Sequence, residues 1–94
     1  MSHKGLALIA LVRIRGAVSV SYRRQLNASE LRGLQKAVEL LTQSVTGDAQ
    51  ALQKARWLED DLQPELSGDW PGCNELRVNV MINAHELSGY LMGL

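Results

Sequence analysis

The run ALVRIRGAVSV, Ala10 to Val20, decides how the first quarter of this chain is read. Leu6, Leu8, Ala10, Val12 and Ile14 share one parity, and Ala7, Ile9 and Leu11 share the other. At a period of two residues, Leu6 to Ile14 is a strand that is apolar on both faces and therefore covered on both. Gly16 permits a tight turn, and Val18, Val20 and Tyr22 then alternate with Ser19 and Ser21 as a second, half-buried strand. The pair reads as a hairpin around Arg15-Gly16, with one long bent strand over residues 5–22 as the other reading. Either way Arg13 and Arg15 share a parity and project to the same side.

Downstream the pattern changes. Asn27-Ala-Ser-Glu30 has the spacing of a capping box, and Leu31, Leu34, Val38, Leu41 and Val45 follow as one apolar stripe. Gly47 closes this helix and Asp48 caps a second, about Ala49 to Leu62, with Ala51, Ala55, Leu58 and Leu62 on one side. QPELSGDWPGCNE, from Gln63 to Glu75, has the composition of a loop. Leu76, Val78, Val80 and Ile82 then alternate with Arg77, Asn79 and Met81, which predicts a third strand. A short terminal helix follows, with Leu87, Tyr90, Leu91 and Leu94 on its apolar side. The expectation is a single α+β domain over residues 1–94, in the order ββααβα, with an antiparallel sheet and helices packed on one face. Its other sheet face lacks cover, which points to a homodimer.

Composition sets further bounds. A 94-residue chain buries roughly 60–65% of its unfolded surface, enough for one core. Trp57, Trp70, Tyr22 and Tyr90 are its only aromatic residues, so Leu, Val, Ile and Ala must fill that core. Cys73 is alone, which excludes an intramolecular disulfide. The apolar run Gly5 to Val12 falls well short of the roughly 20 residues of a membrane span, and no small-residue cleavage pattern follows it. The chain reads as soluble and cytoplasmic. Net charge is zero but divided: residues 1–36 hold seven cations against Glu30, a balance of +6, and residues 37–94 balance at −6. Such a split marks a basic binding surface or two complementary faces.

No catalytic constellation emerges. Cys73 and His85 are one thiol and one imidazole at arbitrary separation. One cysteine and two histidines at unrelated positions make no tetrahedral metal set. Glu59-Asp60-Asp61 are consecutive on a helix, so they fan out by about 100° each and do not converge on one ion. No glycine motif cradles a phosphate. The expectation is a protein without enzymatic activity and without a cofactor.

Binding is left. Arg13, Arg15, Arg23, Arg24, Arg32 and Lys36 are candidates for a nucleic-acid surface, with Tyr22 available for stacking. Trp57 and Trp70 are candidate anchors for a protein partner. The stretch LVRIRGAVSV with the arginines of SYRRQL, within residues 10–26, resembles the start of the ribosomal large-subunit protein L-thirty family in its archaeal and eukaryotic form. That family opens on an apolar strand ending in an Arg-Ile-Arg-Gly-like motif and binds ribosomal RNA. The resemblance implies RNA near Arg13, Arg15, Arg23 and Arg24. It ends by Leu34, and the family is strongly basic where this chain has a pI near 6.7. The reading that follows is a small, non-enzymatic regulatory or accessory protein that binds another protein through its helical half and pairs with itself as a homodimer. The alternative is RNA or DNA binding through the basic N-terminal surface.

Overall fold

In the computed structural model, which describes residues 3–67 and 74–93, the stretch quoted above is helical from end to end. Helix α1 (His3–Ser21) is followed by α2 (Ala28–Ser44), α3 (Ala49–Leu66) and α4 (Asn74–Met92). Of the described residues 86% are helical and none is in a strand. The expected α+β architecture, with its ββααβα order and antiparallel sheet, is therefore replaced by an all-α four-helix domain.

The correction has a physical cause. Residues Ala7, Ala10, Leu11, Ile14, Val18 and Ser21 recur at spacings of three and four, and all six are buried in α1. The second parity of apolar residues, which made Leu6 to Ile14 look like a two-sided strand, makes α1 apolar nearly all round. Periodicity alone does not separate a short apolar strand from a helix of that kind. Gly16 makes no turn; it lies mid-helix, and a Cβ there would meet nothing. Residues 13 and 15 are about 200° apart on a helix, so Arg13 and Arg15 leave α1 on different sides.

The third expected strand, Leu76 to Ile82, is likewise the start of α4, which continues through the shorter helix expected at Asn83. Strand alternation would bury Leu76, Val78, Val80 and Ile82 and expose Arg77. In the helix Arg77 and Val80 are buried, whereas Val78 and Ile82 are exposed. Helices α2 and α3 begin where their caps predict. Asn27 Oδ1 accepts from the Glu30 backbone N–H at 2.8 Å, and Glu30 Oε1 accepts from the Asn27 N–H at 2.9 Å. Asp48 Oδ1 accepts from the N–H groups of Gln50 and Ala51 at 3.0 and 3.1 Å. The loop expected from Gln63 starts later, because α3 runs through Pro64 to Leu66.

The helices form a closed ring. Each packs against its neighbours in sequence, α1 packs against α4, and no Cα atoms of the diagonal pairs come within 8 Å among the described residues. All neighbours run antiparallel, as short connections favour. Tyr90 near the end of α4 reaches Asp48 at the start of α3, and Asn83 reaches Asp61 one level further on. Arg77 at the start of α4 meets Ser21 at the end of α1. The core is aliphatic: Leu11, Ile14, Leu34, Leu41, Leu58, Leu62 and Leu87 are its largest fully buried side chains. Each contributes roughly 1.5–3 kcal/mol by leaving water. None of the helices is long and apolar enough to cross a membrane, among the described residues.

One end of this core holds charge. Arg77 is 2% exposed and Glu65 6%. Arg77 Nη2 stands 3.0 Å from Glu65 Oε1, close enough for strong attraction though not aligned as a hydrogen bond. Arg77 Nε donates to Ser21 Oγ at 2.9 Å and Nη1 to Asn74 Oδ1 at 3.3 Å. The Tyr22 ring lies 6.0 Å from the guanidinium carbon. Removing one partner of a buried pair leaves a charge in low dielectric, whereas replacing both by apolar groups of similar volume is often neutral or better. Glu65→Ala is expected to cost about 3–5 kcal/mol in urea denaturation. Glu65→Leu with Arg77→Met should recover most of that loss; a double variant as unstable as Glu65→Ala would refute this account of the pair.

Candidate functional site

Three groups of side chains stand out from the aliphatic scaffold, and each is placed by a different local rule. The first is cationic. Arg24 follows the last turn of α1, where Glu30, held by the capping box, takes its guanidinium in a forked pair at 2.7 and 2.8 Å. That hydrogen bond, with the Asn27 N–H behind it, lowers the Glu30 carboxyl to about 2. Arg23 is exposed beside it, and Arg23, Arg24, Ser19 and Val20 line a shallow depression of about 230 Å³. Arg32 and Lys36 are exposed one turn apart on α2. Arg13 is exposed and Arg15 half-buried, on different sides of α1. Helix geometry thus brings Arg23 to Arg24 and Arg32 to Lys36, and it parts Arg13 from Arg15.

The second group surrounds Trp57, an indole left 50% exposed on the outward side of α3. The apolar line of α3 runs through Ala51, Ala55, Leu58 and Leu62, and Trp57 stands roughly 100° from Leu58 and outside that line. Ala49, Gln50, Gln53, Lys54 and Trp57 border an open groove of about 400 Å³ along two turns of the helix. Trp70, the other candidate anchor, and Cys73 lie outside the described residues.

The third group joins α3 to α4. The Tyr90 hydroxyl donates to Asp48 Oδ2 at 2.9 Å and to Oδ1 at 3.0 Å, while the same carboxylate caps α3. The Ala51 N–H first, then the Tyr90 hydroxyl, hold Asp48 below its ordinary range. In return Asp48 pushes the Tyr90 phenol up. Beside this contact lies an open pocket of about 380 Å³ bordered by His3, Lys4, Thr46, Gly47, Asp48 and Leu91.

The titratable side chains are otherwise dispersed among the described residues. Among the described residues no three His, Cys, Asp or Glu side chains gather to hold a metal ion. His85 is exposed on α4. Glu59, Asp60 and Asp61 fan out around α3, and Asp61 accepts from Asn83 Nδ2 at 3.2 Å. Sequence reasoning passed over Arg77, Glu65, Ser21 and the Asp48–Tyr90 contact. A signal for Arg77 existed: it is the one cation in an otherwise uncharged run from Leu76 to Ala84, flanked at i−3 by Asn74. No family model, curated protein or solved structure matches the chain.

These contacts give stability a defined pH dependence. Glu30 titrates lower in the fold than its ordinary 4.5, so its contribution is complete above that value and lost as pH falls towards about 2. Tyr90 titrates higher than its ordinary 10.0, so its contribution is complete below that value and lost as pH rises beyond it. Urea midpoints should therefore form a plateau between about pH 5 and pH 9 that declines on both sides. Tyr90→Phe should flatten the alkaline decline relative to the parent; an alkaline limb of unchanged steepness would count against the Asp48–Tyr90 contact.

Proposed function

We propose that the chain is a non-enzymatic helical interaction module that binds another protein along the outward side of α3, with Trp57 as the anchor. The observation that carries this reading is the half-exposed indole at the edge of an open groove. An indole side chain buries up to about 250 Å², so covering its exposed half is worth on the order of 3 kcal/mol. Few single contacts on a small domain offer as much, and tryptophan is enriched among the residues that dominate protein interfaces. Lys54 on the groove wall and Gln50 and Gln53 along it favour a partner segment with an apolar side chain for the indole and a carboxylate for the ammonium.

The alternative, nucleic-acid binding by the cations of α1 and α2, has less behind it. Arg24 is engaged by Glu30, and Arg13 and Arg15 do not share a side. The residues that resemble the ribosomal family's opening strand are helical up to Ser21.

A photo-crosslinking amino acid at position 57, introduced in the native host, is expected to give one discrete protein adduct that the same group at Gln63 does not give. Trp57→Ala should then weaken binding of that purified partner by about 100-fold, with little dependence on salt, and shift the melting temperature by less than about 2 °C. Undiminished affinity in Trp57→Ala, or a large fall in its melting temperature, would mean the indole serves the fold. Steeply salt-dependent RNA or DNA binding at low salt would favour the alternative.

A further inference from the structure

The end of the bundle at which α2 gives way to α3 is hollow. All four helices reach it: α1 begins there with His3 and Lys4, α2 ends at Ser44, α3 follows Asp48, and α4 supplies Leu91. The open pocket between them has a volume of about 380 Å³. Small-molecule sites typically enclose roughly 300–1,000 Å³ and combine an apolar lining with a few polar groups. Here the apolar part is Val45, Ala51 and Leu91, all three of them buried members of the core.

Most polar groups around the pocket are spent on their own surroundings. Ser44 Oγ donates to the Leu40 carbonyl at 2.6 Å and Thr46 Oγ1 to that of Gln43 at 3.3 Å. The Tyr90 hydroxyl gives its one proton to Asp48. Two charges are left. Lys4 is half-buried, and its ammonium enters no ion pair or side-chain hydrogen bond among the described residues. Asp48 Oδ1 accepts from the N–H groups of Gln50 and Ala51 and shares the Tyr90 proton, whereas Oδ2 accepts from Tyr90 alone. A carboxylate offers about four acceptor positions, so Oδ2 has room for another donor. The donors already present hold the Asp48 carboxyl below its ordinary range, which keeps it ionised at neutral pH. A cation and an anion thus border one apolar-lined pocket, and no ion pair joins them.

We propose that this pocket binds a small zwitterion with an apolar side chain, of the α-amino-acid class. The ligand's carboxylate meets the Lys4 ammonium, its ammonium donates to Asp48 Oδ2, and its side chain lies against Val45, Ala51 and Leu91. A ligand of the same shape with only a carboxylate would satisfy Lys4 and leave Asp48 unanswered. One with only an amine would do the reverse. A site that carries both charges therefore selects the zwitterion by what each analogue leaves unpaired. Because the pocket is open to water, affinity is modest, with a dissociation constant on the order of 1 mM. The pocket shares no residue with the Trp57 groove, so neither reading depends on the other.

The test is a titration of the whole chain, followed by the NMR signals of its backbone amides, with three probes. Phenylalanine carries both charges; 3-phenylpropionate and 2-phenylethylamine keep the aromatic body and lose one charge each. Phenylalanine up to about 20 mM should shift the amides of Lys4, Thr46, Gly47, Ala51 and Leu91 saturably, and the two analogues should bind at least about tenfold more weakly. Lys4→Met should weaken phenylalanine binding about tenfold while leaving 2-phenylethylamine unchanged. Asp48→Asn, which keeps a capping side chain for α3, should weaken it similarly while leaving 3-phenylpropionate no weaker. No saturable shift with phenylalanine overturns the proposal. Equal binding of 3-phenylpropionate or 2-phenylethylamine to the parent chain overturns the zwitterion assignment, even if the Asp48 variant does not fold. Shifts centred on Gln53 and Trp57 rather than on Lys4 and Gly47 overturn the placement.

Discussion

A guanidinium removed from water governs one end of this bundle, and the helices around it are arranged to make that state tolerable. Arg77 belongs to α4, its carboxylate partner Glu65 to α3, and the hydroxyl that accepts from its Nε to Ser21 of α1. One cation therefore ties three of the four helices at a single level. The ring architecture makes this arrangement available, because α4 is the neighbour of both α1 and α3. An aliphatic core such as this one fills space without strongly preferring one helix register over another. A buried charge with fixed partners does prefer one, since sliding α4 by a turn would separate Arg77 from Glu65 and Ser21. The far end is held differently, by the Asp48 carboxylate, which caps α3 and accepts from Tyr90 of α4.

Local rules in the chain were sufficient for two helices and misleading for two. Helices α2 and α3 have polar outward sides, so their apolar residues mark a single line, and Asn27 and Asp48 announce where they begin. Helices α1 and α4 carry Val and Ile on both sides, and an element apolar on both sides satisfies the strand period as well as the helical one. Leu76 to Ile82 shows how the error arises. Its alternation is perfect as a strand, yet the residue that strand logic puts in water, Arg77, is the one the fold buries. The deciding partner, Glu65, is twelve residues away on another helix, beyond the reach of any local pattern. The Trp57 candidate could be named from its chain position off the apolar line, but the groove beside it depends on how α3 is set in the ring.

The same apolar excess that hid α1 and α4 also bears on what the molecule is for. The core gains nothing from Val12, Val78 or Ile82 at the surface, and lysine or glutamate there would support the helices at least as well. Helices α2 and α3, Trp57 apart, place polar residues outward: Arg32, Lys36, Glu39, Gln53 and Asp60 are all exposed. The contrast between the two pairs of helices is therefore informative where an isolated exposed valine would not be. It also reinterprets the charge split between the halves of the chain. In a ring where α1 touches α4, a helix whose formal charges are all positive lies beside one whose exposed formal charges are both negative, and among the described residues no ion pair joins them. The charges themselves do not converge, since Arg13 and Arg15 leave α1 about 160° apart and Glu86 lies one turn from Tyr90, which is turned to Asp48 of α3, so the split is one between helices and not between two facing patches.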